Sequence, residues 1–117
     1  MKKRLLLADD DESSRLTLEA LLEDTFVVDA VASFKEAEER LAGGAAPYDV
    51  VVLDHHLGDG LGASLVPRVR DGSPRALVVL VTGSSASEIP ENGADGCFVK
   101  GSSLDELFRL IDVRRSD

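Results

Sequence analysis

Cysteine is nearly absent from this chain of 117 residues, since Cys97 is the single one. An internal disulfide is therefore excluded. No apolar run approaches the length of about 18 residues that a membrane span needs. The chain also does not open with a basic region, an apolar run and a cleavage site, as a secretory signal would, because Leu5-Leu6-Leu7-Ala8 runs directly into acidic residues. These absences favour the reducing cytosol as the setting and predict no membrane partner.

Basic residues are also in short supply. The chain has 13 Lys and Arg against 22 Asp and Glu, which gives a net charge of −9. Such a surface repels phosphate backbones and anionic lipid, so we expect no nucleic-acid binding by this chain. With 44% hydrophobic and 30% charged residues, the composition is that of a globular protein. Without a linker or repeat, residues 1–117 are expected to form one domain.

Five short β-rich runs alternate with helical patterns along the chain. The runs are residues 4–8, 26–31, 49–53, 76–81 and 96–99. Helices are predicted at about residues 13–23, from the capping box at 33–36 onward, at about 61–70, and from residue 103 onward. Almost wholly apolar runs, such as the third and fourth, are typical of parallel strands covered on both faces. The alternation predicts an α/β fold, a doubly wound five-stranded parallel sheet of the flavodoxin-like order 2-1-3-4-5. In the first helix we expect Leu18, Leu21 and Leu22 to be buried, and Pro67 should kink or shorten the third.

Reactive side chains stand where the predicted strands end. Asp9 and Asp10 follow the first strand and Asp54 ends the third, which is its neighbour in this sheet order. Ligands of such sheets bind beyond the carboxyl ends of the strands, so these carboxylates should converge. Three converging carboxylates repel one another, and a divalent cation relieves that repulsion. The all-oxygen set suits Mg²⁺, with Mn²⁺ as a substitute.

Thr82 and Lys100 end the fourth and fifth strands. A hydroxyl and a cation at this edge, together with the metal, could hold a phosphoryl group on Asp54.

With these residues in place, the sequence resembles the receiver domain of bacterial response regulators, of the type found in chemotaxis regulators. The matching pieces are LADDD at 7–11, VVLD at 51–54 with DG at 59–60, VTG at 81–83, and GADG at 93–96 leading to Lys100. The resemblance implies that a histidine kinase or phosphotransfer protein phosphorylates Asp54, and that the domain then switches a partner or output domain. It implies that the backbone carbonyl of His56 joins Asp9, Asp10 and Asp54 as a metal ligand. Thr82 would hydrogen-bond a phosphoryl oxygen, and Lys100 would form an ion pair with it.

The chain departs from the family pattern at four places. Gly58 and Gly101 stand where the family usually has proline, which should loosen the loops beside the site. Cys97 replaces the aromatic residue whose rotation reports phosphorylation. The spacing from Thr82 to Lys100 is short and includes Pro90, so the helix between the fourth and fifth strands should be very short or missing.

Several of these residues also have simpler interpretations. Asp11 and Glu12 are better explained as a cap and dipole partners of the first helix than as ligands. We expect the His55 and His56 side chains to point apart, and without a third ligand they do not predict a metal site. His56 could instead lie over the phosphoryl group and affect the access of water. Cys97 is expected to be a small buried hydrophobic residue rather than a redox sensor.

Two other functions stay open at this stage. A haloacid-dehalogenase-type phosphohydrolase also combines a strand-one aspartate nucleophile with Mg²⁺, a hydroxyl residue and a lysine, but Asp9 and Asp11 match that arrangement only loosely. A pseudo-receiver would keep the fold as an interaction scaffold that phosphate does not regulate. The altered switch position and the short helix favour it, whereas the complete set of site residues favours a working receiver. In neither receiver reading is the chain an enzyme acting on other molecules.

Overall fold

The computed structural model describes residues 2–42, 47–83, 94–100 and 103–115, the last four by their backbone only. The strands are β1 (Lys3–Ala8), β2 (Phe26–Val31), β3 (Val50–Asp54), β4 (Leu77–Thr82) and β5 (Gly96–Val99). The helices are α1 (Glu12–Leu22), α2 (Phe34–Ala42), α3 (Val66–Gly72) and α4 (Leu104–Arg115), with a 3₁₀ turn at Gly62–Leu65 before α3. None of the helices in these ranges is both long and apolar enough to cross a membrane.

The five strands form one parallel sheet in the order β2-β1-β3-β4-β5. This confirms the predicted fold class and strand order. Each predicted strand lies within one residue of the observed one, because apolar and β-branched runs bounded by turns are a local signal. The prediction that the helix between β4 and β5 is very short or missing concerns residues 84–93, which lie outside the described residues, as does Gly101.

Alternate residues of the central strands supply two separate cores. Leu6, Val51 and Leu53 face α2 and α3, in a cluster that also holds Ala37, Val66 and Val69. Leu5, Leu7 and Val52 face the other side with residues of α1 and α4, namely Leu18, Leu22, Leu107 and Ile111. Both faces of the sheet are therefore covered, and the polar strand ends are left at the carboxyl edge.

One detail of the helices differs from the sequence-based expectation, while the predicted shortening of the third helix at Pro67 is confirmed. Leu21 is 44% exposed, because Leu18 and Leu22 lie one turn apart on the face of α1 toward the sheet while Leu21 is turned to one side. The third helix is divided, and Pro67 stands in the first turn of α3 rather than in its interior. Proline is tolerated there because its missing N–H has no intrahelical acceptor.

Candidate functional site

The turn between β1 and α1 presents two of the predicted ligands. Asp9 directly follows β1 and is buried, whereas Asp10 is exposed. Asp11 is the N-cap of α1, and its carboxylate accepts a hydrogen bond from the Ser14 amide at 3.2 Å. The Asp11 amide donates to Asp9 Oδ1 at 3.0 Å. The cap therefore fixes the turn that carries Asp9 and Asp10, and the prediction that Asp11 caps the helix is confirmed.

Asp54 is the last residue of β3 and is 5% exposed. Its Oδ1 accepts a hydrogen bond from the His56 amide at 3.2 Å. The next residue is held as well, since the His55 amide donates to the Val81 carbonyl of β4 at 2.7 Å. Strand pairing and this local hydrogen bond together orient the carboxylate toward the edge of the sheet.

Lys100 follows β5 and brings a cation to the carboxylates. Its Nζ lies 2.8 Å from Asp54 Oδ2 and 3.7 Å from Asp9 Oδ1. Its amide donates to the carbonyl of Thr82 at 2.7 Å, so the ends of β4 and β5 are joined. Thr82 itself is 1% exposed at the end of β4. All the predicted side chains thus come from the carboxyl ends of neighbouring strands.

The carboxylates of Asp9, Asp10 and Asp54, here called the acid cluster, each offer an oxygen within 4.8 Å of the other two. Within the described part of the chain, no other set of three or more His, Cys, Asp or Glu side chains could hold a metal ion. Three carboxylates with one lysine leave an excess of negative charge. Hard oxygen donors and a negative site fit a cation such as Mg²⁺, which is usually held by one or two carboxylates and water.

Burial and neighbouring charges shift the pKa values of the Asp54–Lys100 ion pair. It raises the pKa of Asp54, because it disfavours the carboxylate more than the hydrogen bond and charge of Lys100 favour it. Asp9 adds to the increase through its own negative charge. Burial also opposes the charged form of Lys100, but its hydrogen bond to Asp54 and the surrounding carboxylates outweigh this and raise the pKa of the amine. A further cation beside Asp54 would favour its charged form and so oppose the effect of burial.

The two histidines differ from their predicted arrangement. Their rings do not point apart but meet edge to face, with centroids 4.8 Å apart. The His55 side chain is buried, whereas the His56 side chain is exposed. His55 Nδ1 is buried and has no hydrogen-bond partner. Among the described side chains, neither histidine belongs to a cluster of three possible metal ligands, and the absence of a metal site at this pair stays a prediction.

The two other departures from the family pattern have clear structural settings. Gly58 has a φ of 76°, a conformation that proline cannot adopt, and it lies in a hydrogen-bonded turn. Cys97 is half-buried in β5, and burial raises the pKa of its thiol. A raised pKa disfavours the reactive thiolate, in line with the expectation that Cys97 is not a redox sensor.

Sequence reasoning missed two residues that support the site. Arg15 donates from Nη1 to the Asp9 carbonyl at 3.1 Å and so links α1 to the turn before it. Asp59, noted only as part of an Asp-Gly pair, accepts hydrogen bonds from two amides at the start of α2. An Asp-Gly pair indicates a turn, but no sequence pattern shows that this aspartate contacts a helix 24 and 25 residues earlier.

Comparisons with known proteins agree with this geometry. A family model described as the response regulator receiver domain matches residues 5–112. A response regulator receiver protein from Sinorhizobium medicae has a TM-score of 0.87 at 29% identity, covering 98% of this chain and 95% of that one. A response regulator from Burkholderia pseudomallei, solved with a phosphorylated aspartic acid, a calcium ion and citrate, has a TM-score of 0.82 at 27% identity. That match covers 98% of this chain and 69% of the other.

Curated relatives include two transcriptional regulatory proteins. DltR of Streptococcus agalactiae is 31% identical over 116 residues, which is 95% of this chain and 51% of DltR. TcrA of Mycobacterium tuberculosis is 33% identical over 111 residues, which is 92% of this chain and 43% of TcrA. The chain thus spans about half the length, or less, of these curated relatives.

Proposed function

The chain belongs to the response regulator receiver domain family, and from this premise we propose that it is a phosphorylation switch of two-component signalling. Asp54 would accept a phosphoryl group from a histidine kinase or a phosphotransfer protein. The observation that carries the proposal is the position of Lys100, whose Nζ reaches two buried carboxylates, Asp54 and Asp9. The receiver match over residues 5–112 removes the haloacid-dehalogenase alternative.

The metal ligands would be the three side chains of the acid cluster together with the backbone carbonyl of His56. The convergence of the three carboxylate oxygens within 4.8 Å supports this assignment. Bound Mg²⁺, or Mn²⁺ in its place, would neutralise negative charge beside Asp54 and attract the oxygens of the incoming phosphoryl group.

The protein itself has little covalent chemistry to perform in this transfer. An oxygen of Asp54 forms a bond to phosphorus while the bond from phosphorus to the donor's leaving atom breaks, which gives an acyl phosphate. Hydrogen bonds from the His56 amide and Lys100 hold the two oxygens of Asp54 in place. Such positioning, with neutralisation of charge by a lysine, accounts for most of the catalysis in phosphoryl transfer.

Lys100 and Thr82 would respond to the new group. Modification of Asp54 replaces a carboxylate by a more strongly charged phosphoryl group, and Lys100 would pair with it. The Thr82 hydroxyl would hydrogen-bond a phosphoryl oxygen, and this bond would pull the end of β4 toward Asp54. Because the Lys100 amide is bonded to the Thr82 carbonyl, both strand ends would move together. A partner or an output domain would read that change.

The proposed setting is the cytoplasm, since the single cysteine, Cys97, cannot form an internal disulfide. The partners are a sensor kinase or phosphotransfer protein and a downstream target. The net charge of −9 argues against nucleic-acid binding by this domain itself.

The proposal is tested by incubating the protein with acetyl phosphate and Mg²⁺ and measuring the adduct by intact-mass and peptide mass spectrometry. We expect one phosphoryl group on Asp54, none when EDTA removes the cation, and none in Asp54→Asn or Asp54→Ala. Asp11→Asn is the matched control, because it removes a nearby charge outside the acid cluster and keeps a good N-cap. Asp11→Asn should be labelled like the wild type.

Two outcomes would contradict the proposal in different ways. Labelling that persists with Asp54 replaced would show that the acceptor is another residue. A folded protein that binds Mg²⁺ but is modified neither by acetyl phosphate nor by its kinase would be the pseudo-receiver scaffold.

A further inference from the structure

The segment after Asp54 closes on itself. We call residues 55–61 the acceptor loop. Within it the Leu57 amide donates to the Gly60 carbonyl at 3.0 Å and the Asp59 amide to the Leu57 carbonyl at 2.7 Å. His56 and Leu61 form an antiparallel bridge, and the Leu57 side chain is buried. The loop is therefore a compact turn with one apolar anchor and not an extended connection.

Asp59 attaches this loop to a different part of the fold. One of its carboxylate oxygens accepts a hydrogen bond from the Phe34 amide at 2.8 Å, and the other accepts one from the Lys35 amide at 3.1 Å. These amides belong to the first turn of α2, where N–H groups have no intrahelical acceptor. The two hydrogen bonds lower the pKa of Asp59, so its carboxylate stays charged at neutral pH.

The two glycines beside Asp59 fit this attachment. Gly60 lies against the ring of Phe34, and a Cβ at Gly60 would come within 2.6 Å of that ring. Gly58 lies on the side of the acid cluster, where a Cβ would be 3.7 Å from Asp10 Oδ2. The loop thus contacts the start of α2 on one side, and on the other side Gly58 lies beside Asp10.

We propose that Asp59 is a positioning residue for the metal site, because its two hydrogen bonds to α2 hold the acceptor loop against Asp10 and next to Asp54. The inference rests on the proposed function, since it requires the acid cluster to bind Mg²⁺. A loop that is already ordered loses little conformational entropy when the cation binds. Without Asp59, that entropy is lost on binding and the affinity for Mg²⁺ falls.

The chain offers a matched control on the same helix. The Ser33 hydroxyl accepts a hydrogen bond from the Glu36 amide at 3.1 Å and caps α2, and among the described residues the Ser33 side chain makes no hydrogen bond to the acceptor loop. Ser33→Ala therefore removes a helix cap alone, whereas Asp59→Ala removes a cap and releases the loop. If Asp59 were only a cap, both variants would lose stability and both would keep the wild-type affinity for Mg²⁺.

The experiment is a calorimetric titration of wild type, Asp59→Ala, Asp59→Asn and Ser33→Ala with MgCl₂, at a temperature where circular dichroism shows all of them folded. We expect roughly tenfold weaker Mg²⁺ binding in Asp59→Ala, by analogy with residues that orient metal ligands. Ser33→Ala should bind like the wild type. Asp59→Asn, which keeps one oxygen acceptor, should fall between them.

Each result bears on the inference. Equal Mg²⁺ affinity in wild type and Asp59→Ala would overturn the positioning role while leaving the proposed function intact. Equal weakening in Ser33→Ala and Asp59→Ala would also overturn it, because α2 capping alone would then be responsible. Absence of Mg²⁺ binding by the wild type would overturn both proposals. If Asp59→Ala does not fold, the comparison of Asp59→Asn with Ser33→Ala decides in the same way.

Discussion

Two polar clusters in this fold contain acidic and basic residues, but they differ in how far their negative charge is compensated. One, here called the tyrosine cluster, consists of Arg4, Asp29, Arg40 and Tyr48. Its acid is paired twice, by Arg40 at 2.8 Å and by the Tyr48 hydroxyl at 2.6 Å, and the Arg4 guanidinium lies 4.6 Å from the centre of the Tyr48 ring. The acid cluster instead gathers three carboxylates around Lys100.

The difference lies in charge compensation. In the tyrosine cluster, positive charge and a hydroxyl donor surround the single carboxylate, so we expect the contacts to stabilise the fold. In the acid cluster, like charges lie within 4.8 Å of each other, and folding brings together groups that repel. The same carboxylates then give the site its attraction for a cation. The comparison predicts that loss of the Tyr48 hydroxyl lowers stability at the tyrosine cluster. At the acid cluster, loss of Lys100 lowers stability, whereas loss of the Asp10 carboxylate raises it.

The largest effect on stability is expected for Lys100→Met, which keeps the length of the side chain and removes the cation of the acid cluster. Breaking a buried ion pair costs roughly 3–5 kcal/mol, and because Lys100 is about one-third exposed we expect a loss of about 2–3 kcal/mol without metal. Urea unfolding measures this loss. Lys35→Met, at an exposed lysine, is the control and should change little.

Mg²⁺ sharpens the Lys100 test. A bound cation supplies the positive charge that Lys100→Met lacks, so the difference in stability from the wild type should shrink when Mg²⁺ is added. Equal stability of Lys100→Met and Lys35→Met without metal would mean that the three carboxylates do not need Lys100, and the contrast between the clusters would be lost.

The contrast between the clusters also shows what sequence could and could not provide. Strand positions follow from local apolar runs, and parallel strands bring their carboxyl ends to one edge. Asp9, Asp54 and Lys100 could therefore be placed together before any coordinates. The pairing of Tyr48 with Asp29 and of Asp59 with α2 joins residues 19 to 25 positions apart through loop packing. No periodicity predicts such contacts.

Local patterns failed in a similar way where packing decided the outcome. The leucine spacing in α1 allows Leu21 to be buried, but the sheet covers only the face that carries Leu18 and Leu22. The family pattern marks Gly58 only as a missing proline, whereas the structure shows it with a positive φ in a hydrogen-bonded turn. In both cases the missing information was the position of a neighbouring element.

At the tyrosine cluster, Tyr48→Phe should lower the free energy of unfolding by about 1.5 kcal/mol, the lower end of the range for a hydrogen bond to a charged group. Burial, followed by the hydrogen bond and charge of Asp29, raises the pKa of Tyr48 from 10.0 to about 12. Folding therefore favours the neutral phenol. Its contribution to stability is complete below pH about 10, the unfolded pKa, and is lost as the pH rises through about 12.

The chain is suited to this measurement because it has one tyrosine and no tryptophan. Absorbance of tyrosinate reports Tyr48 alone, and it should titrate near pH 12 in the folded protein and near 10 in urea. The control for the stability measurement is Arg40→Gln. Arg40 is half exposed, so its ion pair with Asp29 should contribute less than about 1 kcal/mol to the free energy of unfolding. Titration of folded Tyr48 near its unfolded pKa would mean that its hydrogen bond to Asp29 does not persist in solution.

The smallest and most diagnostic change is Asp10→Asn. Asp10 is exposed, so removing its charge should relieve only part of the repulsion and raise the stability of the metal-free protein by less than about 1 kcal/mol. The same change should weaken Mg²⁺ binding by about tenfold or more, because it removes a carboxylate from the proposed ligand set. Asp11→Asn removes the same charge one residue away and keeps an N-cap, so both quantities should stay near wild type.

Stability without metal is measured by urea unfolding and affinity by calorimetry. An unchanged Mg²⁺ titration in Asp10→Asn would exclude Asp10 as a ligand. A loss of stability, as at Tyr48, would mean that the acid cluster is compensated as fully as the tyrosine cluster.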